Sequence, residues 1–165
     1  MPPSSSRTVR CFLAAALAYG VVAGALAQPE YLVHRLGQED GLTDARLNFF
    51  YGTDALGFTW VSSMSGPFRY DGYGLRHFPT DSTRAGGDGN NVQSDFYTDA
   101  DGMLWFTTVP ELIRFDPATE TMRRWRLGQG ALHLFDLDTA RGELWLSDGA
   151  GVWHAPVADP TSATA

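Results

Sequence analysis

Three stretches of this chain carry one phrase: Asp54-Ala-Leu-Gly57-Phe-Thr-Trp60, Asp99-Ala-Asp-Gly102-Met-Leu-Trp105 and Thr139-Ala-Arg-Gly142-Glu-Leu-Trp145. The tryptophans stand 45 and then 40 residues apart, the period of a four-stranded propeller blade. A chain built from such units has no single undivided core, because each unit hides its apolar face only against a neighbour.

The likeness runs past the tryptophans. An alternating triplet follows each one, Phe68-Arg69-Tyr70, Ile113-Arg114-Phe115 and Trp153-His154-Ala155, and an apolar run precedes each one, at Phe49-Phe50-Tyr51, Phe96-Tyr97 and Leu134-Phe135. Residues two apart in a strand share a face, and strands this short need turn residues between them. The pattern predicts strands over 47–53, 58–63, 67–71 and 75–78, then 92–98, 103–108, 111–115 and 121–126, then 132–137, 143–147 and 150–155. Gly57, Gly102 and Gly142 sit where a hairpin turn needs an unrestricted backbone, often at positive φ. Trp60, Trp105 and Trp145 are read as packing between neighbouring sheets. The fold expected is all-β, a partial β-propeller of about three four-stranded antiparallel blades over 41–86, 87–128 and 129–155.

These residues resemble the two-component regulator propeller repeat found in periplasmic sensor regions of bacterial signalling proteins. The resemblance covers roughly Tyr31 to Val152. It rests on Gly41-Leu42-Thr43, on Asp54, Gly57 and Trp60, and on Phe68-Arg69-Tyr70-Asp71-Gly72, with a second copy almost as good and a partial third. It implies blades that close into a ring, followed by a membrane helix and a histidine kinase, diguanylate cyclase or DNA-binding output. None of those output parts lies in this sequence, which is therefore expected to be an N-terminal fragment.

Residues 1–27 read as a secretory signal peptide. Arg7 and Arg10 precede an apolar stretch from Cys11 to about Leu26, and Ala25-Leu-Ala27 is a small-x-small site placing the cut between Ala27 and Gln28. An uncleaved anchor is the rival, but Gly20, Gly24 and many alanines leave the stretch short and weakly apolar for a span of ~20 residues. The expected location is periplasmic or secreted. Removal of the leader takes away the single cysteine, so neither a disulfide nor thiol chemistry is expected in residues 28–165. That part carries nineteen acidic residues against ten arginines and no lysine, a net charge of −9, which repels nucleic acid. The one basic cluster, Arg123-Arg124-Trp125-Arg126, reads as an exposed edge strand rather than a recognition patch. About 138 residues make three blades, whereas closed propellers use about four to eight. The third unit lacks an outer strand, and Pro156, Pro160 and the run to Ala165 predict a disordered tail over 156–165. Tyr31–Leu36 is a lone strand that could fill that gap only if the ring closed.

Several residues are of types that carry chemistry. Asp54, Asp99 and Asp101 recur with the repeat, as turn-forming aspartates do when they bond nearby backbone amides. His34, His77, His133 and His154 are scattered without metal-ligand spacing, so no metal site is expected. Gly86-Gly-Asp88-Gly-Asn90-Asn91 lacks the lysine of a phosphate loop and the final glutamate of a calcium loop, and reads as an inter-blade connection. Ser62, Ser63 and Ser65 have no nucleophile-elbow context. No catalytic residue and no cofactor is expected, and the sequence does not identify which residues or loops contact a ligand.

The function expected is an exported sensor or ligand-binding module without catalysis, meeting a small molecule or glycan. The alternative is a protein-interaction module, or a remnant without independent function, associating with itself or with further blades. A propeller-type enzyme ranks lower. Membrane contact is expected only through a downstream region or an uncleaved leader. Residues 28–165 should be β-rich by circular dichroism and should self-associate in sedimentation, because unpaired strand edges invite pairing; a sharply cooperative, monomeric unfolding transition would contradict this.

Overall fold

The computed structural model describes residues 33–80, 90–127 and 130–164. The leader, the Ala27–Gln28 site, Tyr31 and Gly86–Gly89 lie outside the described residues. The chain divides into two units, Met1–Arg35 and Leu36–Ala165. Of the first, only residues 33–35 are described, and they have no regular secondary structure; the lone strand expected from Tyr31 is not seen over residues 33–36.

The second unit is all-β and holds three antiparallel sheets. The first is β1 (Leu47–Thr53), β2 (Thr59–Ser63), β3 (Gly66–Tyr70) and β4 (Leu75–His77). The second is β5 (Tyr97–Thr98), β6 (Leu104–Thr107), β7 (Glu111–Asp116) and β8 (Thr121–Arg126), and the third is β9 (His133–Asp138), β10 (Glu143–Ser147) and β11 (Val152–Pro156). Each sheet is ordered as its sequence runs, and the sheets do not close into a ring, so the unit is a partial propeller.

Two expected stretches differ. The strand expected over 92–98 shrinks to β5, because the Ser94 hydroxyl, not a strand carbonyl, accepts the Thr107 N–H at 2.9 Å, leaving Val92 as an isolated bridge to Thr108. The tail expected to be disordered folds back instead. Pro160–Ser162 forms a 3-10 turn, and Thr164 exchanges two backbone hydrogen bonds with His154, at 3.0 and 2.9 Å, along the outer edge of β11.

The sheets stack through their tryptophan faces. Trp60 and Phe78 of the first meet Phe96, Leu104, Phe106, Ile113 and Phe115 of the second. Trp105 and Leu112 on the second sheet's other face meet Leu134, Leu137, Leu144, Leu146 and Ala155 of the third. Trp60 and Trp105 are fully buried, and Trp60 meets the Phe115 ring edge-on at 5.0 Å, a geometry aromatic pairs prefer. Gly52 allows the first two blades to approach: a Cβ there would collide with the carbonyl oxygen and Cβ of Phe96.

Each buried indole is tethered to its turn. Asp54 Oδ1 accepts the amides of Leu56 and Phe58 at 2.9 and 3.0 Å, while Oδ2 accepts Trp60 Nε1–H at 2.8 Å. Asp99 repeats this with Asp101, Met103 and Trp105 at 3.0, 2.9 and 2.7 Å. The turn reading of both aspartates thus covers one carboxylate oxygen; the other serves the core. Gly57 and Gly102 close these turns at φ +85° and +81°, where a side chain is strained.

The third turn is one residue longer. Register places Asp138 opposite Glu143, at the position of Asp54 and Asp99, although the sequence phrase puts Thr139 there. Gly142, at φ +67°, still closes the turn. The Asp138 carboxylate holds the amides of Ala140 and Arg141 and the Arg141 guanidinium, at 3.0, 3.0 and 2.9 Å, and not the Trp145 indole. Trp145 is only half-buried and lies against the His154 ring at 5.2 Å.

Asp99→Ala should therefore lower the unfolding free energy by about 3 kcal/mol, since a buried indole donor loses a charge-assisted partner and two amides lose theirs. Asp138→Ala, on a solvent-facing turn where ion pairs contribute little, should cost far less. Urea unfolding of the two variants checks this, and equal losses would refute the tether.

Candidate functional site

A cleft of about 420 Å³ opens between the second and third blades, at the end where the Asp-containing turns lie. Strand pairing places its charged wall. Trp105, Arg114 and Arg123 are successive partners across β6, β7 and β8, so their side chains leave one face. Leu112 and Trp125 pair on the same face, and Trp125 stacks on Trp105 at 5.5 Å with 17° between planes. The facing wall is the longer third turn, with Thr139, Arg141 and Gly142, together with Pro156 at the end of β11 and Val157 and Ala158 after it.

Three guanidiniums thus converge in a chain whose net charge is −7. Arg123 lies over the Trp125 ring at 5.5 Å and Arg114 over the Trp105 ring at 5.8 Å. Arg114 Nε is buried without a hydrogen-bond partner, with Asp99 Oδ2 at 3.8 Å. The Asp99 carboxylate is already committed to two amides and an indole. Arg141 Nη1 donates to Asp138 at 2.9 Å, an exposed pair.

The same face of the first blade carries the same arginine pair, closed differently. Trp60, Arg69 and Arg76 are successive partners across β2, β3 and β4. There Glu120, from the turn between β7 and β8, reaches across: Oε1 accepts Arg69 Nη2 at 3.0 Å and Arg76 Nη1 at 2.7 Å, and Oε2 lies 2.7 Å from Arg76 Nη2. Glu120 adopts φ +56° in doing so, a conformation few residues other than glycine take. The corresponding turn of the third blade places the uncharged Val157 and Ala158 at the cleft, while its acid, Asp159, accepts the Thr161 amide and hydroxyl.

The histidines and Ser62, Ser63 and Ser65 fall outside the cleft lining, whereas Asp99 and Asp101 belong to it. His77 stacks on Phe68 at 4.6 Å and bonds Ser65 O at 2.9 Å; His133 bonds Gln93 O at 2.8 Å. Ser63 Oγ donates to Gly66 O, and Ser62 Oγ accepts the Phe50 amide. Asn90 Oδ1 accepts the Thr80 hydroxyl at 2.9 Å, inside the protein. Among the described residues no three His, Cys, Asp or Glu side chains group as a metal site. Asp101 does not share the tether of Asp99 and stands exposed at the cleft. The arginine cluster forms β8, the last strand of its sheet. Alternation puts Arg123 and Trp125 on the cleft face, which the sequence reading missed; the signal was the Arg114–Arg123 spacing across a short hairpin.

No family model matches the sequence, and no curated protein does. Solved structures match in fold. The extracellular domain assigned to a hybrid two component system, BT3049 of B. thetaiotaomicron, superposes with a TM-score of 0.67 at 22% identity, covering 82% of this chain and 20% of that one. Two structures of the BT4673 extracellular domain from the same organism, assigned once to a one component and once to a hybrid two component system, give TM-scores of 0.62 and 0.60 at 18% and 19% identity. They cover 79% and 84% of this chain and 18% and 20% of theirs. The chain thus spans about a fifth of the structures it matches. No helix among the described residues is long and apolar enough to cross a membrane.

Turn carboxylates set the pH response. Asp138 is held below the usual 3.8 by the Arg141 amide and guanidinium, Asp116 by the Thr119 hydroxyl and the Ala118 amide, and Asp71 by the Gly74 and Tyr73 amides. Asp44 is lowered to about 2, chiefly by its hydrogen bonds with Arg46. Depressed folded-state values contribute stability above the unfolded pKa and lose it as pH falls through the folded one. Stability should hold down to about pH 4 and then fall toward pH 2. Urea midpoints across that range check this, and a midpoint that rises on acidification would contradict it.

Proposed function

We propose that this chain is a recognition module of a bacterial signal-transduction protein, exported behind a leader cut between Ala27 and Gln28, that binds a ligand without transforming it. One observation carries the reading: a blade stack whose fold matches extracellular domains of sensor systems holds, between its second and third blades, a charged cleft rimmed by turns. Loops positioned on a rigid scaffold are where binding usually resides. Aromatic and guanidinium groups beside apolar Val157 and Ala158 suit a small molecule or a sugar ring.

A second reading, an interaction module, is favoured by the outer faces of the stack. Trp145 and His154 occupy on the third blade the places that Trp60 and Arg69 hold on the first, and Tyr51 is exposed at the stack's other end. A second copy placed head to tail would bury both. The sedimentation measurement above separates this reading from the first.

The recognition reading is tested by thermal-shift and calorimetric titration of the full chain with a panel of monosaccharides, oligosaccharides and small carboxylic acids. Saturable binding with the ligand recovered unchanged is expected. A product in the recovered ligand, or no ligand in the panel, would sink the reading.

A further inference from the structure

We propose that the cleft between the second and third blades binds an oxyanion-bearing ligand, a carboxylate or its sulfate or phosphate analogue, through Arg114 and Arg123. The inference rests on the recognition reading of the same cleft and adds the chemical class of the ligand. Its template lies inside the molecule. At the first interface the paired arginines, Arg69 and Arg76, meet a carboxylate, Glu120, through two donors of one guanidinium and one of the other. Such forked contact is what planar guanidiniums offer planar anions.

At the second interface the register repeats the pair, Arg114 with Arg123, while the facing turn lines the cleft with Val157 and Ala158 and commits its acid, Asp159, to Thr161. Arg114 keeps a buried Nε–H without a hydrogen-bond partner, its ion pair with Asp99 being long at 3.8 Å. A buried, charged donor left unmade is costly, and Asp99 is spent on its own turn and indole. Arg141 stands at the rim, held by Asp138 through Nη1, and Asp101 stands exposed in the same cleft. A ligand oxyanion standing where Glu120 stands one blade earlier satisfies these donors, and apolar Val157 and Ala158 leave room for the body that carries it.

The test uses the full 165-residue chain. Glucuronate is titrated by calorimetry, with glucose as the neutral match and sodium sulfate as a second oxyanion. Glucuronate should bind saturably and glucose should not. Competition by sulfate identifies oxyanion recognition in general; its failure to compete identifies the carboxylate as the recognised group. Arg123→Gln, on an exposed edge strand, should weaken binding about tenfold or more, the loss of charge-assisted hydrogen bonds. Ala158→Glu supplies the carboxylate from the chain itself; it should abolish binding and raise the melting temperature. Equal affinity for glucuronate and glucose, unchanged affinity in Arg123→Gln, or no binding of either oxyanion at millimolar concentration would overturn the proposal. Binding of neutral sugars that Ala158→Glu removes would sink the ligand class and leave the recognition reading standing. Conversion of bound glucuronate would sink the non-catalytic reading and leave the ligand class.

Discussion

A single carboxylate carries two jobs in each of the first two blades, and the architecture depends on that economy. Asp54 and Asp99 fold a three-residue turn with one oxygen and fix an indole with the other. The turn stands at the blade's end, while the indole stands in the interface with the next blade. Local chain reversal and blade stacking are therefore set by one group, whose burial is tolerable only because each oxygen is hydrogen-bonded. Where the turn grows by a residue, at Thr139–Gly142, the carboxylate of Asp138 turns to Arg141 and Trp145 goes untethered.

Repetition also makes the differences between interfaces informative. The first and second interfaces use the same face, the same tryptophan and the same arginine pair, so a departure at one position has a ready control at the other. Glu120 closes the first pair at the expense of a left-handed backbone, strain that a part-exposed ion pair offsets only in part. At the second interface Asp99 and Asp101 line the cleft, but no side chain from the third blade's turn reaches the arginine pair as Glu120 does. Its charged cleft follows from a turn whose one acid, Asp159, bonds Thr161 instead of the arginine pair.

Much of this was legible beforehand. Strands 47–53, 121–126 and 143–147 lie where alternation placed them, because both faces of these sheets have distinct surroundings and period two survives. The turn glycines announced themselves by spacing. Strand 92–98 failed because a hydroxyl, at Ser94, competes with the ladder, which apolar pattern does not register. The tail misled because Pro160 reads as a breaker, yet proline at the first position of a turn is compatible with order. The cleft was the least visible feature: it needs Arg114 and Arg123 on the same face of one sheet and a neighbour's turn that faces them with Val157 and Ala158, and no linear motif joins those residues.

The central claim is that buried, carboxylate-held indoles stack the blades. Hydrogen exchange of the indole N–H groups, followed by nitrogen-edited NMR, reads it directly. The Trp60 and Trp105 indoles should exchange slowest, near the rate of global opening, and Trp145 far faster. Equal exchange at all three, or protection strongest at Trp145, would contradict the account.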